Sequence, residues 1–528
     1  MASTLIAAVL LAQQCGPPPT PAEVVAYPSG TIIENVGTSD IPITSQSEKA
    51  KLFIRQGFAL IHCFWFNEAI RSFRDAVKED PTCAMAWCGL NISLTQPWNI
   101  SQQYKAEADY AIQRAIQLSG DVSDAEQELI AAFRLRSFGK DDRGGDFEKA
   151  MEEHIVRYPD LKEPRLIWAS IRCQRCLGIA FDKSGNPRFE LEKVSELIKP
   201  ILAKEPDNPA ACHYDIHAME SIAPEKALGS ARRLGKSASG SGHMVHMPGH
   251  IFYNLGLWDE GRAAFEGCRK IEEDYAAKLG VSPQKATWNY GHNVRFLLFH
   301  LIEMGRFEDA KSKIAIIGSE PGLLEERMGD FGGLSSALLQ SKQIVGTSAE
   351  KEWMLGMASV SSNQIITAKQ HLAALEEMLG SLGSDQNNHW QLSIRRARRA
   401  AYLELAGSIA FAEKRPEDGQ KLLNESLDEF EMVEYQEPPS HVRMPHETLG
   451  WALIEAGKPG DAAEVFRRAL KQRPNSGWLL FGLAEAIRAK DGDEAAKPHY
   501  DEFLKQWKDA DPNMPYMLKA RERLAAMN

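Results

Sequence analysis

Little in this chain points to disulfides, membranes or nucleic acid. Cysteine is scarce, eight in 528 residues with none beyond Cys268, and shows no dense framework of the kind small secreted domains use. Cys173 and Cys176 make one CxxC pair. No second pair follows at zinc-ribbon spacing, so buried helix positions are the better reading. Basic residues are outnumbered, 61 Lys and Arg against 72 Asp and Glu, for a net charge of −11. That excludes a nucleic-acid partner, which needs basic surface. A long apolar run is missing too. The short one over residues 4–12 cannot span a bilayer, and lacks the basic residues that open a signal peptide. A cytoplasmic protein with no transmembrane segment is expected, with a secreted or periplasmic one as the alternative. GxSxG, P-loop, GxGxxG and HExxH are all absent, which argues against serine hydrolase, NTPase, Rossmann dehydrogenase and zincin. Nor is there a stretch with the alternation of a half-buried strand.

What remains is helical spacing. Residues 1–46 are rich in Pro, Gly, Ser and Thr towards their end and read as an extended arm along the first helices. From Ser47 onward apolar residues recur at helical intervals, with loops expected at residues 140–145 and 383–388. Within this pattern a small residue, called position 8, is followed by small residues at 20 and 27, a large one at 24 and proline at 32. Gly57, Ala69, Phe73, Ala76 and Pro81 satisfy all five, as do Gly450, Ala462, Phe466, Ala469 and Pro474. Gly249, Gly261, Phe265 and Cys268 satisfy four, and Gly482 opens another unit. This is the spacing of the tetratricopeptide unit, two helices in 34 residues. The expected fold is all-α, a right-handed superhelix of tetratricopeptide-type hairpins (an α-solenoid) with a concave central groove. One array is expected over residues 47–345 and a second, continuous with it, over 346–528. Residues 118–205 and 318–435 fit the pattern poorly and read as degenerate helix pairs.

Histidine is the second feature. Six of fourteen fall between His213 and His292, where even scatter would place about two. Imidazole is the commonest protein metal ligand. His213 and His217 are one helical turn apart, as are His246 and His250, and His292 follows on a third helix. In the repeat frame His243, His246 and His250 take groove-facing positions 2, 5 and 9. His292 is again position 2, and His62 is position 13 of the first unit. A single metal site is therefore expected, with His213, His217, His246, His250 and His292 as ligands, against a metal-free histidine groove. Copper comes first, with iron or zinc as alternatives. Glu220 is read as a ligand or proton acceptor and Arg295 as a hold on an anionic group. His62, Tyr214, His243, Tyr253, Trp288 and Tyr290 are read as lining a substrate cavity. The segment 236–242 reads as a flexible loop able to gate the groove.

Several longer blocks carry a resemblance. They are residues 45–57, the run from Asp80 to Gly89, His213-Tyr214-x-Ile216-His217-Ala218-x-Glu220, Gly242-His243-x-x-His246-Met247-Pro248-x-His250, Tyr290-Gly291-His292-Asn293, and Glu437-Pro438-Pro439 with residues 474–478. With these the chain resembles a family of tetratricopeptide-repeat proteins known mostly as repeat proteins. The resemblance implies the fold and the histidine pattern and supplies no reaction. One departure stands out. The family often has a histidine just before Glu68-Ala69, where this chain has Phe66-Asn67.

Three functions follow. The first is a metal-dependent enzyme, an oxidoreductase before a hydrolase, acting on a small organic substrate. The second is a scaffold that binds a protein or peptide partner. The third is a metal carrier without turnover.

Overall fold

The computed structural model describes residues 18–96, 102–138, 145–176, 189–317, 323–328, 348–381, 389–433 and 443–527. The fold is all-α: every regular element among these residues is a helix, and successive helices pair as hairpins of the tetratricopeptide type. The apolar run at 4–12, the expected loops at 383–388 and 140–144, and Glu437-Pro438-Pro439 lie outside the described residues. So does the side chain of Cys176, whereas Cys173 is buried. No described helix is long and apolar enough to cross a membrane.

The chain divides into two compact units, one holding Met1–Leu177, Phe189–Pro248 and Gly267–Tyr290, the other Gly249–Glu266 and Gly291–Asn528. In the first, the hairpin of helices Glu48–His62 and Phe66–Glu79 closes around Phe73. A methyl group on Gly57 or on Gly89 would overlap the Phe73 ring. The ring therefore sits in a slot that only two glycines leave open, one from its own hairpin and one from the next. The second unit repeats the device, with Phe466 between Gly450 and Gly482. These are the small and large positions of the repeat pattern, and steric exclusion explains their spacing.

The stretch expected to be degenerate contains two more such units. Gly356 faces Leu405, and Gly407 faces Leu423. Leucine fills the place that phenylalanine takes elsewhere, so the pattern weakens in sequence while the packing persists.

Among the described residues, six of the turns that join the two helices of a hairpin close in the same way. After the first helix, one residue takes a left-handed backbone and the next N–H reaches back five residues. In the second unit these residues are Gly256, Gly305, Asn363, Lys414 and Gly457. Glycine and asparagine suit such a helix end. In the first unit the residue is Phe64, at φ 52°, held by Phe64 N to Ile61 O and Trp65 N to Leu60 O, both 3.0 Å. A bulky side chain there is a steric cost that its surroundings must offset.

The described part of the arm, from residue 18, packs along the first helices. Ile33 N donates to Gln56, Thr44 N to Glu126 and Ser39 Oγ to Glu163. It also overturns the reading of residues 236–242 as a flexible gate. Gly240 N donates to Asn35 O at 2.8 Å, and any side chain at Gly240 would strike the arm's backbone. The glycines there permit close packing.

Candidate metal centre

The site lies in the first unit. Asn208 caps the helix Pro209–Met219, accepting from Ala211 N at 3.0 Å, and Pro209 fits its first turn. That helix presents His213 and His217 one turn apart. The short helix Gly242–His246 presents His243. All three rings are buried, with His213 fully so.

Their hydrogen bonds assign the ring protons. His213 Nδ1 lies 2.7 Å from the carbonyl oxygen of His62. A carbonyl only accepts, so Nδ1 carries the hydrogen and Nε2 the lone pair. His217 Nδ1 is 3.0 Å from Glu220 Oε1, a carboxylate oxygen, with the same consequence. His243 Nδ1 is 3.2 Å from Asn289 Oδ1. The Asn289 amide nitrogen donates to Cys268 Sγ and Glu272 Oε1, which leaves its oxygen for His243. Each imidazole therefore donates from Nδ1, to a carbonyl, a carboxylate and an amide oxygen respectively. Metal-bound histidines are held by this kind of outer partner.

The three Nε2 atoms remain. Those of His213 and His243 face one another at 3.2 Å. That of His217 is buried without a hydrogen-bond partner. One ring nitrogen from each residue lies within 4.8 Å of the other two. Two facing lone pairs repel unless a proton or a cation lies between them. Ligands about 2.0–2.1 Å from a tetrahedral ion stand about 3.3 Å apart, close to the His213–His243 spacing. Burial, followed by the His217 and His243 rings, holds His213 well below the usual histidine range. It is therefore neutral at pH 7, the ligand form.

Phe64 forms the wall shared by the three. Its ring stacks on His243 and on His217, at 5.3 and 5.7 Å between centroids, and meets His213 edge-on at 4.7 Å. Beside His243 opens a cavity of about 210 Å³, lined also by Phe64, Trp65, Glu272, Tyr275 and Trp288. Glu272 is 5 % exposed. Its Oε1 accepts from Asn289 Nδ2 at 3.0 Å and Thr287 Oγ at 3.1 Å, while Oε2 has no hydrogen-bond partner. Burial pushes its carboxyl up to about 7, against the lowering effect of those hydrogen bonds.

The other predicted residues fall as follows. His62 donates no nitrogen to the cluster: Nδ1 pairs with Tyr214 Oη at 2.6 Å and Nε2 with Glu163 Oε1 at 2.7 Å. His62 and Tyr214 are therefore buried supports, and His62 serves His213 through its carbonyl. Glu220 is occupied by His217. His243, read from the sequence as a cavity residue, stands among the three converging histidines as well as lining the cavity. His246, read as a ligand, is buried with its ring stacked on His243 at 5.9 Å. Trp288 lines the cavity, half-exposed, its ring 5.4 Å from His243. Tyr290 is buried, its hydroxyl 2.8 Å from Glu273 Oε1. In the second unit, His250 and His292 approach to 5.8 Å between centroids and both pack on Phe296. Arg295 lies half-buried on the helix Asn289–Glu303, and Tyr253 packs edge-on against Trp258. Phe64, Glu163, Glu272 and Asn289 were not singled out from the sequence. Aligning the six hairpin turns would have exposed Phe64, where glycine, asparagine or lysine stands in the others. The remaining three carry no local signal.

Comparison with known proteins bears on the fold. Residues 447–515 match a family model described as tetratricopeptide repeat. No curated protein matches the chain. Among solved structures it is similar to the APC/C hetero-tetramer Cut9-Hcn1, at 13 % identity over 89 % of this chain and 76 % of that one, with a TM-score of 0.30. It is similar to yeast Tom70 at 11 % identity over 92 % and 96 %, with a TM-score of 0.32. It is also similar to a human IFIT1 dimer with m7Gppp-AAAA at 10 % identity over 88 % and 92 %, with a TM-score of 0.30. The family match places a tetratricopeptide repeat at residues 447–515, within the helix hairpins described above.

Proposed function

We propose that this scaffold binds one transition-metal ion through Nε2 of His213, His217 and His243. The observation that carries the reading is the approach of His213 Nε2 and His243 Nε2 to 3.2 Å, each ring having already committed its hydrogen to a fixed oxygen acceptor. His62, Glu220 and Asn289 act as positioning groups that set the tautomers. An all-imidazole set suits zinc or copper. Iron(II) fits less well, because the carboxylate of Glu220 already accepts the His217 N–H. Met244 and Met247 are buried, and an all-imidazole set does not by itself favour copper over zinc.

Metal binding without turnover is the reading these residues support best. Of the two residues expected to act in catalysis, Glu220 is engaged by His217 and Arg295 belongs to the other unit. Titration calorimetry of chelator-treated, untagged protein with Zn²⁺ and Cu²⁺ tests the proposal. One site per chain is expected, and its absence for both ions would overturn the proposal.

A further inference from the structure

We propose that the cavity beside His243 binds a small organic amine in its ammonium form, with Glu272 as the counter-charge and aromatic rings as the walls. A buried carboxylate is normally satisfied on both oxygens. Here Asn289 and Thr287 share one oxygen, the other makes no hydrogen bond of regular geometry, and the remaining group acting on the carboxyl is the Cys268 thiol, a weak donor. The missing partner is a donor, and an ammonium group brings both the N–H and the charge. Phe64, Trp65, Tyr275 and Trp288 line the same cavity, and a cation over an aromatic face is held more strongly than a neutral molecule of equal size. Trp288 is 49 % exposed, so a ligand reaching it covers apolar surface now in water. Lys285, exposed at the rim, disfavours a second positive charge on the ligand, so a monoamine fits better than a diamine. The inference rests on the cavity and Glu272, not on an ion at the histidines, and a chelator in every titration keeps the two apart.

The test compares phenethylamine with 2-phenylethanol, which share ring and chain length and differ in the ammonium group. Binding is read by calorimetry and by tryptophan fluorescence. The amine should bind at least about tenfold more tightly, as expected for a hydrogen-bonded charge pair. Glu272→Gln should remove that preference and leave the alcohol unchanged. Lys285→Glu, an exposed change at the cavity rim, should strengthen amine binding several-fold. Equal affinity for amine and alcohol, or no binding of phenethylamine and butylamine at millimolar concentration, would overturn the inference. So would a folded Glu272→Gln variant that keeps the preference, or Lys285→Glu without effect on the amine.

Discussion

Phe64 stacks on His243 with ring planes 24° apart and centroids 5.3 Å apart, from a backbone position that other turns of the chain give to glycine, asparagine or lysine. The left-handed conformation costs a bulky residue about 1–2 kcal/mol. A glycine would remove that cost and also the ring that packs against three imidazoles. Truncating a buried phenylalanine costs about 3–5 kcal/mol, so the second effect wins. Phe64→Gly should destabilise the protein by about 2–3 kcal/mol and loosen the histidine cluster. Lys414→Gly, at the equivalent turn, should be neutral or stabilising by up to about 1 kcal/mol. Urea unfolding of both variants checks the contrast.

The glycine slots make a second prediction. Gly89→Ala and Gly482→Ala should each cost about 1–3 kcal/mol through overpacking on Phe73 and Phe466. Combining Gly89→Ala with Phe73→Leu should recover part of the loss, because the smaller side chain vacates the space. A double-mutant cycle measures that coupling, and additive losses would contradict the packing account.

These slots also mark how far the fold was legible. Gly57 with Phe73 and Gly450 with Phe466 stand out because an aromatic ring recurs at fixed spacing. Gly356 and Gly407 make the same approach to Leu405 and Leu423, but leucine is too common along helices to register. The site was legible in part. Histidine density and the His213–His217 spacing located it. His243 was set with the cavity residues because its ring nitrogens are fixed by Asn289, 46 residues away, which no local pattern reveals. Glu163 reaches His62 across 101 residues for the same reason.

Glu272 predicts a pH dependence. Its carboxyl is raised in the folded state to about 7 from an ordinary 4.5. Between these values the folded chain holds a proton that the unfolded chain has released, so stability falls as pH rises through this window. The full difference is about 3 kcal/mol at about 1.4 kcal/mol per unit. His213, held low, acts in the opposite sense as pH falls, so the comparison must be wild type against Glu272→Gln. The variant should gain stability relative to wild type at pH 8 and little at pH 4.5, read from denaturant midpoints at the two values.

Elemental analysis of untagged protein, purified without chelator and reconstituted with zinc, addresses the metal centre most directly. One ion per chain in the wild type is expected, with loss in His213→Ala, His217→Ala and His243→Ala and retention in His250→Ala. Folded wild-type protein that holds no ion, or three histidine variants that keep it, would contradict the account.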